Sequence, residues 1–122
     1  MRLKPAHLLC LFLAVAALRT LPSDAAPRPS RSAVARGHAF AEATCGSCHA
    51  IGRSGHSSNS NAPPFMAIVN HEGLTRVTLS SWLRGAHNFP REMDFYLNDA
   101  RVRVLVAYMM TLRDPHYRRP PD

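Results

Sequence analysis

The clearest periodic pattern in the chain lies near its C-terminus, where Val102, Leu105, Val106, Met109 and Leu112 recur at helical spacing and make one apolar stripe. Asn98 stands where a cap belongs, Asp99 falls in the first turn and Arg113 in the last, so "NDARVRVLVAYMMTLRD" reads as the strongest helix. A second helix is expected over residues 33–45, "AVARGHAFAEATC", from its alanine content. "TLSSWLRG" reads as a short third one, with Thr78 as cap and Gly85 as stop. "FMAIVNHEGL" has room for a helical turn. Glycine, serine, asparagine and proline mark residues 52–64 as a loop, and Pro90 interrupts another over residues 86–97. Alternation of strand period, internal repeats and a second domain are all missing from the pattern. The fold class is therefore all-α, with a globular unit over residues 33–113 and a basic, fraying C-terminal tail over 114–122.

A different kind of apolar run opens the chain. Arg2 and Lys4 precede an unbroken stretch from Leu8 to Leu18, and small residues follow. That is the layout of a secretory signal peptide, residues 1–25, cleaved after Ala25 or its neighbour Ala26. The run is short for a bilayer span, so no stable membrane insertion is expected after cleavage. Of the three cysteines, Cys10 leaves with the signal and only Cys45 and Cys48 stay. Removing the only lysine leaves twelve arginines against seven acidic residues. Such a basic surface suits nucleic acid in principle. Export argues against that and for an acidic protein partner, brought in by electrostatic steering.

The two remaining cysteines sit in "TCGSCHAIG", residues 44–52, with His49 directly after the second. A thioredoxin-like site needs its CxxC beside a βαβ pattern, and the chain offers no convincing strand. A structural zinc site wants four ligands, and adjacent Cys48 and His49 are poorly placed for one tetrahedral ion. CxxCH is the attachment pattern of c-type haem, in which both thiols bond the porphyrin and the imidazole binds its iron. Haem c, bound through Cys45 and Cys48, is the favoured cofactor.

Beyond that motif the sequence resembles class I cytochromes c, most nearly the small monohaem kind exported by bacteria, from about Gly37 to Leu112. Gly37 lies eight residues before Cys45, where the family keeps a glycine so that the first and last helices cross closely. Leu105 to Tyr108 matches the family's Leu-x-x-Tyr element in the last helix. Ala41 stands where the family has an aromatic residue, and Phe40 is the candidate to pack in its place. "APPF", residues 62–65, resembles the family's Gly-Pro-x-Leu. The resemblance implies a cytochrome c fold of three to four helices around one haem. It also implies that the Pro63 carbonyl accepts the Nδ1–H of His49 and fixes its tautomer.

The same resemblance places the sixth iron ligand in the loop ahead of the last helix, where Met93 stands. His87 competes from the same loop, and an open position is the third alternative. Trp82, the only tryptophan, is expected either to wall the haem or to serve as plain core, and Arg53 is a weaker candidate to meet a propionate. The remaining histidines, His38, His56, His71 and His116, read as exposed polar residues. The implied function is that of a one-electron carrier between periplasmic redox partners with an acidic docking face, not an enzyme. The alternatives are a haem-bearing subunit of a dehydrogenase or oxidase, and an open-site haem protein that binds small ligands.

Overall fold

The computed structural model describes residues 28–85 and 96–119. The expected signal peptide, His87 and Met93 lie outside them. Helix α1 (Arg31–Thr44) starts at Ser30, whose hydroxyl accepts from the Ala33 N–H at 3.2 Å. The cap sits inside the proline-rich leader, so the helix begins two residues earlier than its alanine run suggests. After the loop come α2 (Phe65–Val69) and α3 (Arg76–Gly85). Helix α4 (Asp99–Met109) follows, closed by a 3₁₀ turn over Met110–Leu112. No strand occurs among the described residues, so the architecture there is all-α. No helix among them is long and apolar enough to cross a membrane.

Two ends differ from their sequence reading. In α3 the cap is Thr75, not Thr78: the Thr75 hydroxyl accepts from the Thr78 N–H at 3.1 Å, while Thr78 Oγ1 accepts from the Thr75 N–H at 2.9 Å. That reciprocal pair occupies two N–H groups the helix itself leaves over. At the other end of the molecule, Arg113 lies past the helix rather than in its last turn. Its guanidinium donates to the Val69 carbonyl at 3.0 Å and to that of Leu74, tying the chain end to the α2–α3 connection. Asn98 does cap α4, accepting from the Arg101 N–H at 2.9 Å.

The core forms where α1 crosses α4. All five stripe residues of the C-terminal helix are buried there, joined by Ala41, Leu79 and Leu83. Gly37 sets the separation of the two helices. A Cβ at that position would lie 2.7 Å from the Val104 carbonyl carbon, 2.8 Å from Tyr108 Cβ, and closer still to the Val104 carbonyl oxygen. Ala41 is fully buried in this crossing, whereas Phe40 packs at its margin under the Arg101 guanidinium, 5.6 Å from the ring centre. The small residue at the centre and the aromatic one beside it let the backbones approach closely.

Candidate functional site

Helix α1 delivers the cysteine motif directly, because Cys45 is its C-terminal cap residue. The chain then coils once more: the Cys48 and His49 N–H groups both donate to the Cys45 carbonyl, at 3.1 and 2.9 Å. Three bonds fold the polar loop back onto this turn. The Asn59 N–H reaches the Cys48 carbonyl at 3.3 Å, the Ala50 N–H reaches the Ser57 hydroxyl at 3.0 Å, and the Ser58 hydroxyl donates to the Ser47 carbonyl. The Phe65 N–H then closes on the Ala50 carbonyl at 2.9 Å.

That closure places Pro63 beside His49. The Pro63 carbonyl oxygen is 2.7 Å from His49 Nδ1. A carbonyl only accepts, so the proton belongs on Nδ1, and Nε2 keeps the lone pair that can bind a metal. The Phe65 ring packs on the imidazole from 5.6 Å. From the far side the Tyr108 hydroxyl donates to the Ile51 carbonyl at 2.9 Å, fastening the stretch after the motif to α4. Burial pushes the Tyr108 phenol up from its usual range, which keeps it a donor.

These elements surround a cavity of about 670 Å³. Cys45, Cys48 and His49 line one side of it. Leu79 and Leu83 from α3 and Leu105 and Met109 from α4 line it as well, with Phe65 and Ile68 contributed by α2. Pro63 lines it too, and Trp82 does so from α3 while remaining 43% exposed, so that its ring is both wall and rim. The volume lies within the range of cofactor pockets, and the wall is mostly apolar with a few polar groups gathered at the motif. A flat porphyrin with an apolar body fits this donor set: two thiols to anchor it and one oriented imidazole for its metal.

The rival chemistries fit less well. Cys45 and Cys48 are both free thiols. Burial, reinforced by the neighbouring Cys48, raises the Cys45 thiol to about 11. Cys45 itself is thus a poor attacking thiol. No three His, Cys, Asp or Glu side chains form a metal-holding group among the described residues.

Of the positions expected at the site, Cys45, Cys48, His49, Pro63 and Trp82 come together around the cavity, and Met93 lies outside the described residues. Arg53 does not line it; its guanidinium donates to the Thr111 carbonyl at the end of α4. Among the lining residues the sequence reading did not name for the site are Phe65, His71 and Arg119. Phe65 carried a signal in "APPF". The other two are brought in by contacts more than forty residues long in sequence, which no local pattern reports. Comparison with family models, curated proteins and solved structures yields no match.

Proposed function

We propose that this chain is an exported haem c protein of the class I cytochrome c type, working as a one-electron carrier between redox proteins. The observation that carries the reading is the single cavity in which both thiols meet an imidazole held by Nδ1 on the Pro63 carbonyl. When bound, the haem supplies a metal that gains and loses one electron. The chain's own residues supply the rest. Cys45 and Cys48 would anchor the group through their sulfurs, and His49 would offer Nε2 to its metal. Met93 would be the second metal ligand in this reading. Leu79, Leu83, Leu105 and Met109 keep water away from the ring, so charge changes at the metal are felt strongly. The arginine excess steers an acidic partner.

The test is the purified, exported protein, washed with acidified acetone and then examined by optical spectroscopy in both oxidation states. Pigment that stays with the polypeptide and gives a six-coordinate, low-spin spectrum is the expected result. A colourless protein, or pigment extracted into the solvent, would falsify the assignment.

A further inference from the structure

Residues beyond α4 do not splay away from the molecule. Two bonds from Arg113 hold the chain at the α2–α3 connection. The next backbone N–H, that of Asp114, donates to Asn70 Oδ1 at 2.9 Å, and Asn70 Nδ2 donates to the Met66 carbonyl at 2.9 Å. Asp114 then turns the chain: its carboxylate accepts from the His116 N–H at 2.8 Å and its carbonyl from the Tyr117 N–H at 3.1 Å. Of the tail expected to fray, the described residues 114–119 start from this tie at Asn70 and bring Arg119 to the cavity wall as a C-terminal strap.

The charge pattern of that wall is one-sided. No Asp or Glu lines the cavity among the described residues, and Arg119 is the one arginine or lysine that does. Asn59, Asn61 and His71 are among the polar side chains on the same wall. A lone guanidinium at the edge of an apolar cavity selects an occupant with an apolar body and an acidic group, because its planar fork pairs bidentately with a carboxylate. We infer that Arg119, carried by the C-terminal strap, binds a carboxylate of the group held in the cavity. The inference rests on the haem reading above, in which the carboxylate is a propionate. Arg119 thereby tunes the electron affinity of the bound group: a cation paired at its edge favours the form with one more electron.

The experiment is a spectroelectrochemical titration of the intact holoprotein and three variants. Arg119→Gln should lower the midpoint potential, and Arg119→Lys should recover part of the drop by restoring charge without the fork. Arg118→Gln makes the same charge change one residue away, on a side chain that does not line the cavity, and should move the potential less. Equal shifts in the two glutamine variants, or none in Arg119→Gln, overturn the inference while leaving the carrier function standing. Loss of all pigment from wild-type protein on acid-acetone washing overturns both.

Discussion

Fixing a proton on His49 Nδ1 leaves Nε2 as the ring's only basic nitrogen, and the acceptor is a main-chain carbonyl that substitution of Pro63 does not remove. In the proposed haem reading, His49 is therefore a ligand that substitution of Pro63 would disturb little, and Met93 is the sensitive one. Met93→Ala should convert the six-coordinate ferric spectrum to a high-spin one, with carbon monoxide binding readily after reduction; an unchanged spectrum would assign the ligand elsewhere, His87 first. Gly37 is the second residue on which much depends. The atoms a Cβ would meet there are mostly backbone, which cannot swing aside. Gly37→Ala should cost about 3 kcal/mol of stability in denaturant titration, at the upper end of what overpacking costs. Its importance was legible only through the resemblance, which implies a glycine eight residues before Cys45 at a close helix crossing.

Among the elements, α4 is the one whose N-terminal end can be tested at two adjacent residues. Asn98→Ala removes the cap and should cost about 1 kcal/mol. Asp99 is held below its ordinary carboxylate range by a 2.6 Å hydrogen bond from Arg84 and by that residue's charge. A lowered native value means the ionised form is favoured by folding, so the contribution is present above about pH 4 and lost as pH falls through the native value. Asp99→Asn should therefore lower the melting temperature slightly at pH 7 and match the parent near pH 2. The gap should also narrow in high salt, because the pair is exposed. Helix existence followed from local patterns here, whereas partners did not. Two threonines three apart make either one a plausible cap, and only the reciprocal bonds between Thr75 and Thr78 decide it. Arg53 and Arg113 looked like residues for a ligand or a helix dipole. Both bond main-chain carbonyls that lie far away along the chain, a choice made by the tertiary fold.

For the molecule as a whole, the cavity is large relative to so thin a set of helices, and an apolar group anchored in it would add contacts to all four of them. Cys45→Ser with Cys48→Ser keeps the imidazole but removes both anchors. That double variant should melt about 10 °C or more below the parent, roughly the effect of 2 kcal/mol in a domain this size. It should also give up its pigment to the solvent wash. An intact melting temperature in the double variant would mean the helices hold without the anchored group.

The crossing at Gly37 and the Arg113 tie have a consequence for the order of assembly. Helix α1 ends on Cys45, yet the helix it packs against begins only at Asp99, and the connection between α2 and α3 waits for Arg113. A chain emerging from its N-terminus thus presents both thiols long before their surroundings can close. In the proposed haem reading, attachment at those sulfurs would have its widest access while the segment from Asp99 onward is still being delivered, before its arrival closes the site.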